Sequence, residues 1–526
     1  MSKNKDQNSE KFDRDSRDLT NFQTDVLQKY LTGKADAELP ADAHSARSLL
    51  PPGTARGRSF ASIASEFPAY DAQKCVACME CVVVCPDAAI HARVTPQAEM
   101  DQALSKVTDP AVRDFAQSRF SKTVKFWNTY EKQGKTPGQF SLWIDPDKCK
   151  GCGECVQVCG DHAALSMKLK SDEEMALTTK AVEFSHQHLP GTAEQYVNPR
   201  LLTDMFLQDE KWVYRGGAGS CMGCGEITSL KLAIGATTAK YGDNLAIVAA
   251  TGCNSVFSST YPYNIFNVPW TNSLFENAAP TGLGVRMRLN QQGKNDTKVW
   301  ILGGDGAMAD IGLQAVSRAL ATGEDINILV MDTQSYSNTG GQASTSTFTG
   351  QSAKMSAHGK ASLGKTERRK ELGVIAMMHP DVFVAQVSPA YPNHFLRTVL
   401  DALEYPGPSL IVAYSPCMPE HGIADDAGAE RAKAAVISRA FPLYVHDPRK
   451  GNTIKERLDL RGNPSIGEEW HKDPKTGEVF DFVWFARKEG RFAQHFKGGK
   501  VSESLLKSQE DRQKNWNLIR ELAGLK

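Results

Sequence analysis

The sequence lacks the features that would place it in several large classes of protein. Its 61 lysine and arginine residues balance its 61 aspartate and glutamate residues, so charge gives no reason to expect nucleic acid as a partner. No run approaches the roughly 18 apolar residues that a membrane span requires, and the polar amino-terminal segment has no signal-peptide core, which favours a soluble, cytoplasmic protein. Twelve cysteines in 526 residues are too few for a disulfide-rich scaffold.

Length and changes of composition predict four segments, because 526 residues exceed what one hydrophobic core usually organises. We expect residues 1–66 to form a loosely ordered polar arm or a partner-wrapping extension, and residues 67–170 a small α+β domain with a helical insertion. Residues 171–430 alternate apolar runs with helix-like stretches, which predicts an α/β domain with a doubly wound parallel sheet. Residues 431–526 are expected to be an extension that packs through a terminal amphipathic helix, whose apolar side carries Trp516, Ile519, Leu522 and Leu525.

Eight of the twelve cysteines form two runs with the same spacing, C-x2-C-x2-C-x3-C, and this spacing resembles that of bacterial two-cluster ferredoxins. In those proteins the fourth cysteine of each run binds the cluster of the other run. The resemblance implies one 4Fe-4S cluster on Cys75, Cys78, Cys81 and Cys159, and another on Cys149, Cys152, Cys155 and Cys85. Structural zinc is the alternative for C-x-x-C pairs, but four cysteines so close together, twice, fit tetrahedral zinc poorly.

Two predicted strand ends carry residues suited to a diphosphate and its magnesium ion. The apolar run KVWILGG leads into Asp305, and the glycines around it let backbone amides approach a diphosphate. A second apolar run, INILVMD, leads into Thr333. Magnesium prefers octahedral oxygen ligands, and the Asp305 carboxylate, the Thr333 hydroxyl and the Ser335 carbonyl would supply three of them.

Four cysteines remain, and each lies in a loop or near the predicted carboxyl end of a strand, where α/β sheets bind ligands. They are Cys221, Cys224, Cys253 and Cys417. A single cysteine of this kind is more often a small core residue than a ligand. Four left over together favour a further site.

The motifs CMGCGE, ATGCNSV, PWTNSLFENAAPTGLG, GGDGAMADIG, MDTQSYSNTGGQ and YPGPSLIVAYSPC resemble the carboxyl-terminal part of the pyruvate:ferredoxin oxidoreductase family, from about residue 67 onward. The resemblance implies a third 4Fe-4S cluster on the four remaining cysteines, with Glu226 and Cys253 against thiamine diphosphate. It implies that the segments holding the diphosphate and its magnesium ion are Gly304, Asp305, Gly306 and Ala307, and Thr333, Gln334, Ser335, Tyr336 and Ser337. Asn338 would face the substrate, so the predicted catalytic residues are Glu226 and Asn338.

The resemblance also implies an activity. It is the thiamine-dependent oxidative decarboxylation of a 2-oxoacid, with coenzyme A taking the acyl group and three 4Fe-4S clusters passing electrons to ferredoxin or flavodoxin. Pyruvate is the expected substrate, and 2-oxoglutarate or another 2-oxoacid is the alternative.

Only one α/β domain of the required size is present, so the resemblance implies a hetero-oligomer. Its separate partner subunit would carry the pyrimidine-binding and coenzyme A-binding domains. The remaining alternative is an electron-transfer iron-sulfur subunit without thiamine chemistry, against which Asp305, Thr333 and Asn338 argue.

Overall fold

The computed structural model describes residues 22–39, 49–357 and 363–526. Its strands are β1 (Leu49–Leu50), β2 (Glu66–Tyr70), β3 (Ile90–Pro96), β4 (Phe120–Ser121), β5 (Gly138–Ile144), β6 (Leu165–Leu169), β7 (Leu245–Ala250), β8 (Trp270–Ser273), β9 (Lys298–Gly304), β10 (Asn327–Asp332), β11 (Phe383–Val387), β12 (Ser409–Tyr414), β13 (Tyr444–His446), β14 (Leu458–Asp459), β15 (His471–Lys472) and β16 (Val479–Phe480).

The α-helices are α1 (Gln28–Leu31), α2 (Ala35–Glu38), α3 (Glu80–Val84), α4 (Gln97–Leu104), α5 (Pro110–Gln117), α6 (Thr129–Lys132), α7 (Glu154–Cys159), α8 (Asp172–Gln187), α9 (Gly225–Tyr241), α10 (Cys253–Ser259), α11 (Ala278–Gln291), α12 (Leu313–Leu320), α13 (Leu372–Met377), α14 (Pro392–Leu403), α15 (Met418–His421), α16 (Gly428–Ile437), α17 (Ile454–Arg457), α18 (Phe482–Ala486) and α19 (Glu503–Leu522). Among the described helices, none combines the length and apolar character needed to cross a bilayer.

Nine strands form the central sheet in the order β1-β8-β7-β9-β10-β12-β11-β13-β14. The six inner strands, β8 to β11 in that order, are parallel, and antiparallel pairs extend both edges. In the register at the centre, Val330 lies opposite both Gly303 and Val412. The inner strands are apolar along almost their whole length, as is typical of parallel strands that are covered on both faces.

Alternate residues of the inner strands belong to two separate cores. Leu302 and Leu329 pack with helices α9 and α14 and with the cysteine-rich domain. Ile301 and Val330 pack on the other face with α11, α12 and the carboxyl-terminal helices α18 and α19. Helices therefore cover both faces of a mostly parallel sheet, and the predicted doubly wound α/β fold is confirmed.

The cysteine-rich segment before this sheet is a small α+β unit, also as predicted. Strands β2 and β6 pair in antiparallel fashion, and β3, β5 and β4 form a three-stranded sheet. Helices α3 and α7, which carry parts of the two cysteine runs, pack against each other. The predicted helical insertion contains α5 and α6, but β4 separates them.

Buried polar contacts fix this unit to the sheet. The Glu154 carboxylate accepts hydrogen bonds from the backbone amides of Gly428 (3.1 Å) and Ala429 (2.5 Å) at the start of α16. The Tyr214 hydroxyl donates to the Pro86 carbonyl at 2.7 Å. The two units also share one continuous apolar core.

The predicted amino-terminal arm is partly built into the sheet. Strand β1 pairs antiparallel with β8, and the Gly53 amide donates to the Phe266 carbonyl at 2.6 Å. Residues 49–58 contact the α/β domain, and the Phe60 amide donates to the Asp147 carbonyl of the cysteine-rich unit, which corrects the prediction of a loosely ordered arm for this stretch. Residues 1–21 and 40–48 of the arm lie outside the described residues.

The carboxyl-terminal segment is likewise part of the α/β domain. Strands β13 and β14 extend the sheet, and the predicted boundary at residue 430 falls inside α16. In α19 Trp516 and Ile519 are buried as predicted, whereas Leu525 lies beyond the helix end and is exposed. The prediction of a terminal amphipathic helix holds for all but its last residue.

Candidate functional site

The candidate cofactor cleft lies where the order of the strands reverses. From β7 the chain moves outward to form β8 and then returns to the other side of β7 to form β9. Loops that follow neighbouring parallel strands diverge at such a point and leave a crevice. The loops after β7, β9 and β10 line a cavity there that encloses about 390 Å³, including its open mouth.

This cavity brings together most of the residues predicted to hold thiamine diphosphate. The predicted residues that line it are Glu226, Cys253, Gly304, Asp305, Gly306, Ala307, Thr333, Ser335, Tyr336, Ser337 and Asn338. The lining residues that sequence reasoning missed are Thr251, Gly252, Asn254, Phe275 and Thr339. Three of these stand beside Cys253 in the motif ATGCNSV, so their position next to a predicted ligand could have identified them.

Gln334 differs from its predicted neighbours because its side chain does not line the cavity. Its backbone has a left-handed φ of 55°, and its side-chain amide donates to the Asp332 carboxylate at 3.2 Å. Its side-chain oxygen accepts a hydrogen bond from Arg491 at 3.0 Å. The Gln334 side chain therefore points away from the cavity and stabilises the loop after β10 through Asp332 and Arg491. We propose no contact between this side chain and a cofactor.

The three oxygen groups predicted to bind magnesium lie together. The Thr333 hydroxyl oxygen is 3.2 Å from Asp305 Oδ1 and 3.1 Å from the Ser335 carbonyl oxygen. Magnesium–oxygen bonds of about 2.1 Å at right angles would separate neighbouring ligand oxygens by about 3.0 Å. A hydroxyl has one proton and cannot donate to both acceptors at once. The spacing of the three oxygens therefore fits a magnesium ion.

The electrostatics of Asp305 also fit a cation. Burial, and then the nearby Asp332 carboxylate, raise the pKa of Asp305 well above its usual range. Hydrogen bonds from the Ser344 hydroxyl (2.5 Å) and the Thr333 amide (3.2 Å) oppose this rise. Arg369 lies in the same region but forms a buried ion pair with Asp332. A buried carboxylate needs a positive charge nearby, and a divalent ion would supply it.

Glu226 lies in the first turn of α9 and lines the same cavity. Burial raises the pKa of Glu226 to about 8, and a hydrogen bond with Cys253 acts in the opposite direction. Its Oε2 atom is buried and has no hydrogen-bond partner among the described residues. Buried polar atoms almost always have a partner, so an orphaned oxygen beside a cleft fits a polar group of a bound cofactor.

The first two predicted cysteine quartets are assembled as the ferredoxin spacing implies. Cys75, Cys78, Cys81 and Cys159 line one shared pocket. The other quartet is Cys85, Cys149, Cys152 and Cys155. Burial is the main cause that raises the pKa values of the Cys149, Cys152 and Cys155 thiols, and the second cause for each of them is the charge of Cys85. The last cysteine of each run, Cys85 or Cys159, thus lies with the first three cysteines of the other run.

The third quartet lies beside the cofactor cleft. After burial and Glu226, the neighbours that raise the pKa of the Cys253 thiol are Cys224, Cys417 and Cys221. Cys253 and Glu226 both line the cleft, so the quartet and the cleft share an edge. All twelve cysteines are free thiols.

A close backbone contact holds the third quartet together. The Gly225 amide donates to the Pro416 carbonyl at 3.0 Å, which joins the residue after Cys224 to the residue before Cys417. A Cβ atom at residue 225 would come within 2.4 Å of Pro416 Cδ. Only glycine fits there, because any side chain would push the two cysteine loops apart.

The spacing of the sulfur atoms argues against single zinc ions. A tetrahedral zinc with Zn–S bonds of about 2.3 Å would hold its sulfurs about 3.8 Å apart. Within the described ranges, which contain all twelve cysteines, no three cysteines place their sulfur atoms within 4.8 Å of one another. The quartets are therefore wider than a mononuclear site and fit a larger metal cluster.

A further group of possible metal ligands is an ion-pair network. His91, His186 and Asp209 place their ligand atoms within 4.8 Å of one another. Arg93 donates two hydrogen bonds to the Asp209 carboxylate, at 2.8 and 3.0 Å, and so neutralises it. Burial lowers the pKa of His91 to about 3, so this ring is neutral.

Two family profiles match the chain. The profile of the carboxyl-terminal TPP-binding domain of thiamine pyrophosphate enzymes matches residues 250–413. The profile of a 4Fe-4S dicluster domain matches residues 74–163. The chain therefore contains a thiamine pyrophosphate-binding domain preceded by a 4Fe-4S domain.

Comparison with known proteins finds relatives along most of the chain. A pyruvate-flavodoxin oxidoreductase of Rhodospirillum rubrum is 31% identical and aligns with 96% of this chain and 45% of its own length. A pyruvate:ferredoxin oxidoreductase of Moorella thermoacetica is 28% identical and aligns with 81% of this chain and 40% of its own length. This chain thus spans less than half the length of these relatives.

A solved 2-oxoglutarate:ferredoxin oxidoreductase from Magnetococcus marinus is 22% identical, covers 40% of this chain and 68% of its own, and has a TM-score of 0.34.

Proposed function

We propose that the chain forms the thiamine-binding and electron-transfer part of a pyruvate:flavodoxin or pyruvate:ferredoxin oxidoreductase, because it belongs with these enzymes over most of its own length. The reaction is the oxidative decarboxylation of pyruvate, with coenzyme A as acyl acceptor. The observation that carries the proposal is the shared edge between the cofactor cleft and the third cysteine quartet, because electrons removed in the cleft then have an acceptor beside them.

Bound thiamine diphosphate would supply the electron sink that decarboxylation requires. Asp305, Thr333 and Ser335 would hold a magnesium ion for the diphosphate. Glu226 offers its unpartnered carboxyl oxygen to the cofactor, and Asn338 orients the 2-oxoacid at the mouth of the cleft.

Three 4Fe-4S clusters form the electron path in this proposal. The quartet of Cys221, Cys224, Cys253 and Cys417 adjoins the cleft and would hold the cluster nearest to it. The two quartets of the ferredoxin-like unit would hold the clusters that supply the rest of the path. Cys78 is exposed to solvent, which supports an exit to ferredoxin or flavodoxin from its cluster. Each oxidised pyruvate releases two electrons, and each cluster carries one at a time.

A separate subunit completes the cleft in this proposal. The residues that line the cavity come from the start of α9 and from the carboxyl ends of β7, β8, β9 and β10 and the segments that follow them. The partner would contribute the pyrimidine-binding and coenzyme A-binding domains.

The test is an anaerobic assay of the assembled enzyme. We expect pyruvate to reduce ferredoxin or flavodoxin only when coenzyme A is present, and faster than 2-oxoglutarate does at equal concentration. The matched variant is Cys417→Ser, which should keep thiamine binding and lose reduction of the acceptor. An assembly that contains both thiamine and iron, yet reduces no acceptor with any 2-oxoacid, would contradict the proposal.

A further inference from the structure

Lys231 is a buried ammonium group set among the cluster-binding segments. It lies in α9, five residues after Glu226 along the chain, and is 2% exposed. Its Nζ donates hydrogen bonds to the carbonyl oxygens of Val82 and Cys85, the latter at 2.6 Å. The Val82 carbonyl lies in the last turn of α3 and Cys85 directly follows that helix, where carbonyl groups have no partner within the helix.

Lys231 forms no direct ion pair with a carboxylate of the described residues, and the Asp87 carboxylate acts on its charge only through space. Within the part of the chain that the structure describes, no aspartate or glutamate oxygen comes within 4.0 Å of its Nζ. The neighbouring buried Lys150 differs, because it forms an ion pair with Asp87 at 2.6 Å. A charge in the protein interior is strongly destabilising unless an opposite charge compensates for it.

A cluster on the Cys85 quartet would provide that opposite charge. Four thiolates give a 4Fe-4S cluster a net negative charge when it is oxidised, and a one-electron reduction adds one more negative charge. Cys85 supplies a sulfur ligand and also the carbonyl oxygen that Lys231 holds. The ammonium group therefore lies beside the cluster ligand whose charge it would balance.

We propose that Lys231 raises the reduction potential of the cluster bound by Cys85, Cys149, Cys152 and Cys155. The proposal rests on the clusters of the proposed function. Reduction of this cluster adds one electron from a neighbouring cluster, and no bond is formed or broken. A positive charge nearby favours the reduced form because it attracts the added negative charge. Lys231 is a positioning residue in this role, since it acts on the cluster through its charge.

The test is a potentiometric titration of the full, iron-loaded chain in its assembly, followed by electron paramagnetic resonance. Lys231→Gln keeps a donor for the two carbonyls and removes the charge. We expect it to weaken the electron affinity of this cluster at least tenfold, a downward shift of about 59 mV for one electron. Lys231→Arg keeps the charge and should stay near the wild-type potential. Should Lys231→Gln lose iron, Lys231→Met carries the same prediction.

Two further variants test the direction of the change in reduction potential and provide a control. Asp87→Asn removes a buried negative charge near the same cluster and should shift its potential upward. Lys298 is also buried, pairs with Asp325 at 2.8 Å and lies at the far end of β9, so Lys298→Gln should leave all cluster potentials unchanged.

A fully iron-loaded Lys231→Gln protein with wild-type potentials would overturn the inference, as would an Asp87→Asn protein without an upward shift. A wild-type assembly that binds no clusters would instead overturn the proposed function, so the two failures are distinguishable.

Discussion

Replacing Asp305 by asparagine should separate the stability of the protein from its ability to bind thiamine diphosphate and magnesium. Asparagine keeps the shape of the side chain and an oxygen acceptor for the Thr333 amide. It removes the negative charge that burial and Asp332 oppose. We therefore expect the cofactor-free variant to unfold at the same temperature as the wild type or at a higher one.

The effect on ligand binding should be opposite and large. Loss of a partner in the outer shell of a metal site typically costs 10- to 100-fold in metal affinity, so loss of a direct carboxylate ligand should cost about 100-fold or more. At a ligand concentration of 100 times the wild-type dissociation constant, binding stabilises the wild type by about 2.7 kcal/mol. A 100-fold weaker site at that concentration retains only about 0.4 kcal/mol.

Thermal unfolding with and without thiamine diphosphate and magnesium measures both effects. Asp310→Asn is the matched control, because Asp310 lies in the same turn of chain but does not line the cavity. The control should keep the rise in unfolding temperature that thiamine diphosphate and magnesium cause. An Asp305→Asn protein that keeps the full rise would refute the assignment of Asp305 as a magnesium ligand.

Three further predictions address the third quartet and Glu226. Gly225→Ala should destabilise the protein by about 1–3 kcal/mol through contact with Pro416, and should lower iron content while the other two clusters stay bound. Cys417→Ser should reduce iron from about twelve to about eight atoms per chain, measured by colorimetric assay, and an unchanged content would remove Cys417 from the ligand set. The raised pKa of Glu226 stabilises the cofactor-free fold fully below about pH 4.5, and that contribution is lost as the pH rises through about 8. Chemical denaturation across this pH range should show a smaller loss of unfolding free energy for Glu226→Gln than for the wild type. Parallel plots of unfolding free energy against pH for the two proteins would contradict the raised pKa.

Much of the fold could be predicted from the sequence because local patterns determined it. The continuous apolar runs that became β9 and β10 are long enough to show a covered parallel sheet, and the cysteine spacing shows the ferredoxin-like unit. The edge strand β1 could not be predicted, since two leucines carry no periodic pattern. Their pairing with β8 is a contact between residues far apart along the chain.

The candidate site was predictable where a motif faced the cleft directly. The Asp305 and Thr333 segments follow adjacent strands, so their meeting follows from the sheet. Gln334 stands in the same motif, but its left-handed backbone turns the side chain toward Arg491, and sequence spacing does not show such a reversal. Phe275 lines the cleft just after β8, within the motif PWTNSLFENAAPTGLG, for which the sequence predicted no contact with the cofactor.

The cofactor content of the assembly, purified without oxygen, tests most directly whether the chain binds thiamine diphosphate and three clusters. Iron, acid-labile sulfide, magnesium and thiamine diphosphate would be quantified per chain. We predict about twelve irons, from three four-iron clusters, together with one thiamine diphosphate and one magnesium ion. About eight irons without thiamine diphosphate would contradict it and would indicate an electron carrier that retains the thiamine-binding fold without its cofactor.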